Sequence, residues 1–193
     1  METLQIEKNY NSKEIKVIVD YLKNEKVIAI ATDTIYGFSA KFSSHVARKK
    51  ISKLKNRSKK QYFVILISSL NMLRNYCIVS SSQEKYLKKI WPGNISVILQ
   101  AKDNLEITVG LAVRFPKNDY LLKIIRQVKE PIISTSVNIS GFPSILKGEE
   151  ILEKWQFVKD KPDLVVLDKE VACGKASQII DIRDMKNIKI IRK

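Results

Sequence analysis

The most informative run of this chain is Ser134-Thr135-Ser136-Val137-Asn138-Ile139-Ser140-Gly141-Phe142-Pro143. Five hydroxyl or amide side chains lie within its first seven residues. The run follows Pro131-Ile132-Ile133, a short apolar stretch that predicts a buried strand. Such an array of neutral hydrogen-bonding groups at a strand end suits an anion such as a phosphate. The alternative is a polar loop with Ser and Thr caps, and matching polar stretches elsewhere in the chain weigh against it.

The chain carries a formal net charge of +15, from 35 basic and 20 acidic residues. This charge favours a polyanionic partner, either RNA or nucleotide phosphates. However, 28 of the basic residues are lysine and only seven are arginine. Lysine is the ordinary solvated surface cation, whereas arginine grips a phosphate with two donors. The charge alone therefore carries little weight, and the positions of the arginines matter more.

Length and composition predict one globular domain over residues 1–193, with 45% hydrophobic residues. The first residues carry no signal-peptide pattern, and no apolar run approaches the roughly 20 residues that span a bilayer. Cys77 and Cys173 are isolated and match no zinc or disulfide spacing. We expect a reducing, cytoplasmic setting and no membrane partner.

Hydrophobic periodicity predicts an α/β fold with both parallel and antiparallel strand pairs. The predicted helices cover residues 12–24, 44–54, 69–76, 82–90, 118–128 and 148–157. The predicted strands cover residues 27–31, 62–67, 95–101, 111–114, 131–134, 164–167, 178–182 and 188–191.

Most residues capable of chemistry stand next to predicted strand ends, where ligands bind in open α/β sheets. Thr32-Asp33-Thr34 follows one strand, and Arg114 ends another. Lys55 and Arg57 lie two residues apart before a third strand. In an extended loop their side chains point the same way and form a clamp for phosphates or a carboxylate. For an isolated Lys-x-Arg, a solvated basic loop is the better interpretation.

Other chemistries find little support. The single histidine, His45, has no acid or nucleophile readable nearby, so we expect a surface residue at the start of a helix. The segment 174–177 is similar to the end of a P-loop but lacks the upstream glycine. Cations and neutral hydroxyls without a nucleophile indicate that the chain positions phosphates rather than attacking them.

Taken together, six segments in order resemble the YrdC-like family, the L-threonylcarbamoyladenylate synthases of tRNA modification. The resemblance covers the chain from about residue 12 to its end. The matching segments are Thr32-Asp33-Thr34-Ile35-Tyr36-Gly37, Lys55-Asn56-Arg57, Trp91-Pro92-Gly93, Ala112-Val113-Arg114-Phe115-Pro116, Ser136 to Pro143, and Ser177-Gln178-Ile179-Ile180-Asp181. A single motif is weak, but six in order are a strong signal.

The chain also departs from the family pattern. Ala31 and Ser58 stand where prolines are usual, and Gln61-Tyr62 stands where bacterial members often have Lys-Pro. Asn118-Asp119 replaces a frequent His-Pro, and Gln178 replaces a threonine. Because the Lys-x-Arg and Ser-x-Asn cores are present, we interpret these differences as divergence.

The resemblance implies a short, single-domain form with a twisted mixed sheet, helices and a deep basic cavity. It implies that L-threonine, bicarbonate or CO2, and ATP give threonylcarbamoyl-AMP and pyrophosphate. It places catalysis on Lys55, Arg57, Ser136 and Asn138, and ATP binding on these residues with Gln61, Ser144 and Arg192. It places L-threonine on Thr32, Thr34, Arg114 and Ser177. Mg²⁺ is expected to arrive with ATP, because no carboxylate cage for a metal is visible in the sequence.

The implied partners are ATP, L-threonine and bicarbonate, a functional link to a tRNA threonylcarbamoyl transferase complex, and a weak contact with tRNA. The alternative from another class is an RNA-binding module that uses the same basic concavity without catalysis. A third alternative is a carbamoyl-transfer domain of the hydrogenase-maturation type, but the zinc-finger-like and acylphosphatase-like neighbours of those proteins are missing here.

Overall fold

The structure is a computed structural model that describes residues 1–7, 10–56, 63–105, 107, 110–168 and 174–193. Two residues predicted to bind ATP, Arg57 and Gln61, lie outside the described residues, as does Cys173.

One mixed sheet runs through the molecule. Its strands are β1 (Glu2–Ile6), β2 (Ile28–Ile30), β3 (Gly37–Lys41), β4 (Val64–Leu66), β5 (Cys77–Ile78), β6 (Ile95–Ala101), β7 (Leu111–Arg114), β8 (Ile132–Ser136), β9 (Leu164–Asp168), β10 (Gln178–Asp181) and β11 (Lys189–Arg192). The strand order is β1-β9-β2-β3-β8-β4-β7-β6-β10-β11, and β5 pairs with β6 at the side. The pairs β1/β9, β2/β9, β4/β7 and β6/β10 are parallel, and the others are antiparallel.

The helices are α1 (Ser12–Lys23), α2 (His45–Leu54), α3 (Leu70–Tyr76), α4 (Ser81–Ile90), α5 (Asp119–Val128) and α6 (Gly148–Trp155), with a 3-10 turn at Asp103–Leu105. The first five begin after a side chain that accepts a hydrogen bond from a free backbone N–H of the first turn. The capping residues are Asn11, Ser44, Ser69, Ser80 and Asn118.

Helices pack on both faces of the sheet. Along β2 and its flanks, alternate residues enter different cores because successive side chains of a strand point to opposite faces. Ile28 and Ile30 pack with the apolar stripes of α1 and α5. Val27, Ala29 and Ala31 pack with α2 and α6, including Trp155. A third cluster joins α3 and α4 to β6, β7 and β10. The predicted mixed α/β fold is confirmed.

Three strands were not predicted: β1, β3 and β5. β1 is an edge strand whose residues are mostly exposed, so it lacks the apolar run that identifies a buried strand. β5 has only two residues. β8 continues to Ser136 and pairs Gly37 with Ser136, so the first hydroxyls of the opening run belong to a strand and not to a loop.

The predicted extended conformation before Arg57 is wrong at its first two residues. Lys55 caps the end of α2 in a right-handed helical conformation. Asn56 follows with φ 47°, the left-handed region that asparagine tolerates better than most residues. The helix end therefore turns Lys55 inward instead of extending it into a solvated loop.

Candidate functional site

A cavity of about 180 Å³ lies where six stretches of the chain meet at the sheet. Its wall contains the β2–β3 connection, residues of β4 and just before it, the last residue of β7 and the polar end of β8. Residues 176–179 and Arg192 of β11 complete it. The lining residues are Thr32, Thr34, Ile35, Gly37, Phe63, Val64, Leu66, Arg114, Ser134, Thr135, Ser136, Ala176, Ser177, Ile179 and Arg192. Thr32 and Arg192, which are 160 positions apart in sequence, thus line the same cavity.

The Thr32 and Thr34 side chains are both buried, and their hydroxyl oxygens lie 2.9 Å apart. Thr32 Oγ1 donates its only proton to the backbone oxygen of Ile35, at 2.7 Å. The proton between the two threonines must therefore come from Thr34. Thr34 Oγ1 therefore has lone pairs with which it can accept a hydrogen bond from a ligand in the cavity.

Arg114 is 3% exposed, and its guanidinium is held from behind by Asp33. Arg114 Nη1 donates to Asp33 Oδ1 at 2.8 Å. The other carboxylate oxygen, Oδ2, accepts the backbone N–H of Lys117 at 3.1 Å. Arg114 therefore has a counter-ion, the half-buried carboxylate of Asp33, which is not itself one of the lining residues.

Arg192 reaches back from β11 to Ser177. Its Nε and Nη2 donate to the Ser177 backbone oxygen at 3.0 and 2.7 Å, and Nη2 also contacts Ser177 Oγ at 3.2 Å. Burial, together with the nearby charge of Arg114, lowers the pKa of Arg192. The two guanidinium groups face one cavity, so an anion placed between them relieves their repulsion.

Lys55 lies behind the β8 end of the site and is 1% exposed. Its ammonium contacts the backbone and side-chain oxygens of Ser136 and of Asn138, with Asn138 Oδ1 at 2.6 Å. Ser136 Oγ donates to the same Oδ1 at 2.7 Å, and Asn138 Nδ2 donates to the Phe142 oxygen at 2.7 Å. Lys55 therefore shapes the turn that follows β8.

Gly37 gives the floor of the cavity its depth. A methyl group at this position would lie 2.7 Å from Ser134 Oγ, closer than two such atoms can approach. Gly37, the last residue of the first motif, thus makes room for the hydroxyl of Ser134, two residues before the fifth motif. Glycine is needed here because of this close approach and not because of an unusual backbone conformation.

The structure brings together six of the predicted site residues on the cavity wall: Thr32, Thr34, Arg114, Ser136, Ser177 and Arg192. Lys55 and Asn138 stand immediately behind Ser136. Ser144 is half-buried beyond the turn and does not belong to the lining.

Two positions that sequence reasoning missed support this wall. Ser96 is fully buried in β6, and its hydroxyl lies 2.9 Å from that of Ser177. A lone serine within the apolar run of residues 95–99 was the available signal. Asp33 lies inside the first motif, but its partner Arg114 is 81 positions away in sequence, so nothing local predicts the contact.

Within the described ranges, no three His, Cys, Asp or Glu side chains are grouped so that they could hold a metal ion. No helix among these residues is both long and apolar enough to cross a membrane.

A model of the family Sua5_yciO_yrdC, described as telomere recombination, matches residues 20–193. The threonylcarbamoyl-AMP synthase of Wigglesworthia glossinidia brevipalpis is 31% identical over 194 residues, covering 96% of this chain and 96% of that protein. The chain therefore belongs to the Sua5/YciO/YrdC family.

Two solved structures share the fold. Escherichia coli YciO superposes with a TM-score of 0.88 at 22% identity, over 100% of this chain and 96% of that one. Pyrococcus abyssi Sua5, solved in complex with L-threonine, superposes with a TM-score of 0.83 at 24% identity. This second match covers 94% of our chain and 54% of that one.

Proposed function

We propose that this chain is an L-threonylcarbamoyladenylate synthase. It joins L-threonine, bicarbonate or CO2, and ATP to give threonylcarbamoyl-AMP and pyrophosphate, with water as a further product when bicarbonate is used. The observation that carries the proposal is the single cavity that unites Arg114, Arg192 and the hydroxyls of Thr34, Ser136 and Ser177. The name of the Wigglesworthia relative supplies the reaction class.

The amino acid fits the end of the cavity between Arg114 and Thr34. A guanidinium binds a carboxylate through charge-assisted hydrogen bonds, and Arg192 adds a second cation nearby. Thr34 offers lone pairs, which suit the N–H or O–H donors of threonine and would repel another carboxylate oxygen. This polarity orients the substrate, with its carboxylate at the arginines and its donors at Thr34. L-Threonine in the complex with P. abyssi Sua5 supports this choice of substrate.

The nucleotide is proposed to occupy the end of the cavity formed by Ser136 and the turn behind it. In the unliganded chain the Ser136 proton is directed at Asn138 Oδ1. To donate to a phosphate oxygen, Ser136 must turn its hydroxyl into the cavity, while Lys55 continues to hold Asn138. Ser144, Arg57 and Gln61 stay predictions as further ATP ligands.

The reaction needs positioning more than protein nucleophiles. The neutral amine of threonine takes up CO2 and loses a proton, which gives a carbamate. A carbamate oxygen then forms a bond to the α-phosphorus while the bond to the pyrophosphate oxygen breaks. The substrate carboxylate, the carbamate and the triphosphate are all anionic, so their approach requires cations fixed beforehand in a confined space. Arg114 and Arg192 provide such cations.

Mg²⁺ enters this proposal with the nucleotide. The wall contains hydroxyls and guanidinium groups but no carboxylate among its lining residues, and the carboxylate of Asp33 binds Arg114. This donor set does not fit a protein-held magnesium site, so no step is assigned to the ion. We further propose that the chain works in the cytoplasm, delivers its adenylate to a tRNA threonylcarbamoyl transferase complex, and contacts tRNA weakly.

Pyrophosphate release from ATP tests the proposal. Complete mixtures with L-threonine, bicarbonate, ATP and Mg²⁺ should release pyrophosphate, and mixtures that omit L-threonine or bicarbonate should not. The same assay applies to Arg192→Ala, which should release less pyrophosphate than the parent protein. Lys193→Ala, which changes the neighbouring residue with no assigned role, is its matched control. An RNA-binding module would instead show no turnover and an RNA affinity that falls steeply with salt.

A further inference from the structure

Asp33 stands between two threonines of the cavity wall, but it has a different environment. Thr32 and Thr34 line the cavity, whereas the Asp33 carboxylate lies behind the wall against Arg114. Its side chain is 13% exposed. Asp33 takes no direct part in the proposed reaction.

Both oxygens of the carboxylate have partners on the segment that leaves β7. Oδ1 accepts from Arg114 Nη1, and Oδ2 accepts from the backbone N–H of Lys117. The Asp33 carboxylate therefore joins the β2–β3 connection to Arg114 at the end of β7 and to Lys117 in the turn that follows. The bond from Lys117 holds the carboxylate in place, and the bond to Nη1 attaches the Arg114 guanidinium to it. Because an arginine side chain has several rotatable bonds, this attachment restricts where its guanidinium lies.

The charge of Asp33 is as relevant as its geometry. Arg114 is almost fully buried, and a buried cation that loses its counter-ion is strongly disfavoured. Arg192 faces the same cavity and adds a second positive charge. Without Asp33, the Arg114 guanidinium would be pushed away from Arg192 and toward solvent, away from the place where a substrate carboxylate can meet it.

We propose that Asp33 is a positioning residue that fixes the Arg114 guanidinium for the carboxylate of the amino-acid substrate. This inference rests on the proposed synthase function. Asp33 acts through Arg114 and touches no substrate. It also fixes which edge of the guanidinium faces the cavity, and so sets the direction from which the substrate carboxylate approaches.

Steady-state kinetics of a double-mutant cycle test the proposal. Asp33→Ala should raise the KM for L-threonine by about tenfold or more and leave the KM for ATP within about twofold. In the Arg114→Ala background, the same change should have little further effect, because a residue that acts only through Arg114 has nothing left to position. The proposal would be overturned if the effects of Asp33→Ala and Arg114→Ala on the KM for L-threonine multiply in the double variant. It would also be overturned if Asp33→Ala raises the KM for ATP as much as the KM for L-threonine.

Side-chain NMR of the arginines tests positioning without turnover. Signals of the Arg114 Nη groups, identified by their loss in Arg114→Lys, should be sharp in the parent protein and broadened in Asp33→Asn, which keeps the size of the side chain. Glu84→Ala is the matched control, because it removes the carboxylate partner of Arg74, which does not line the cavity. It should leave the Arg114 signals unchanged. Unchanged Arg114 signals in Asp33→Asn would refute the inference even if Asp33→Ala fails to fold. A parent protein that makes no pyrophosphate would refute the synthase function instead.

Discussion

The ammonium nitrogen of Lys55 lies 2.6 Å from the side-chain oxygen of Asn138, although 83 positions separate the two residues. The second motif of the chain thus supports the fifth directly. The contact makes Lys55 part of the framework of the nucleotide end, in addition to any charge it offers to a phosphate.

Replacement of Lys55 should affect both stability and turnover. Lys55→Met removes the ammonium donor from half-buried oxygens of Ser136 and Asn138, which should lower the free energy of unfolding by about 1–3 kcal/mol. Pyrophosphate release should fall by roughly 100-fold, as for the loss of a charge-stabilising donor. Urea unfolding and the pyrophosphate assay measure the two effects. Lys53→Met, on the exposed side of the same helix, is the control, and parent-like behaviour of Lys55→Met would contradict the role.

Thr34 should control the use of L-threonine. Thr34→Val keeps the shape of the side chain but removes the oxygen that accepts from the substrate, so the KM for L-threonine should rise about tenfold. The KM for ATP should stay close to the parent value. Thr34→Ser restores the oxygen and should recover most of the affinity. If the serine variant is as impaired as the valine variant, the hydroxyl is not the functional group.

Arg192 should matter to both substrates, because it lies beside Arg114 and holds the backbone of Ser177. Arg192→Ala should lower kcat/KM for ATP and for L-threonine by about tenfold or more. The neighbouring Lys193→Ala should stay within about twofold of the parent protein. Similar kinetics for the two variants would show that a general surface charge, and not the Arg192 contact, matters.

Cys77 should make the fold sensitive to alkaline pH. Burial raises the pKa of its thiol to about 12, with a smaller opposing effect from Lys102. The unfolded thiol titrates near 9.0, so the fold favours the neutral form. This contribution to stability is complete well below pH 9 and declines as the pH rises toward 12. Cys173→Ser removes the other thiol and serves as the reference protein. Between pH 8 and 10, its free energy of unfolding should fall by about 1–2 kcal/mol more than that of the double variant Cys173→Ser/Cys77→Ala. Parallel pH profiles would contradict this burial effect.

The sequence was sufficient for the main helices and strands and for six of the fifteen residues that line the cavity. Apolar periodicity located α1 and α5, and the continuous apolar run of residues 27–31 predicted β2 as a buried strand. Arg114 could be proposed because polar residues at strand ends converge in such sheets. Ser177 was implied only by the family resemblance.

Partnerships formed through space could not be predicted from the sequence. Gly37 and Ser134 meet across a strand pair that depends on the unpredicted β3. Asp33 and Ser96 act through residues 81 positions away, and nothing local distinguishes them from a loop aspartate and a strand serine. The inward turn of Lys55 depends on where α2 ends, and helix ends are the least predictable part of a sequence-based assignment.

The most direct measurement is mass spectrometry of the product formed from carbon-13 bicarbonate, L-threonine and ATP. The account predicts an adenylate whose mass equals threonylcarbamoyl-AMP and whose carbamoyl carbon carries the label. With Arg114→Ala this species should decrease strongly at low L-threonine and recover as L-threonine is raised. Formation of AMP and pyrophosphate without a labelled adenylate, or no ATP consumption with all substrates present, would contradict the account.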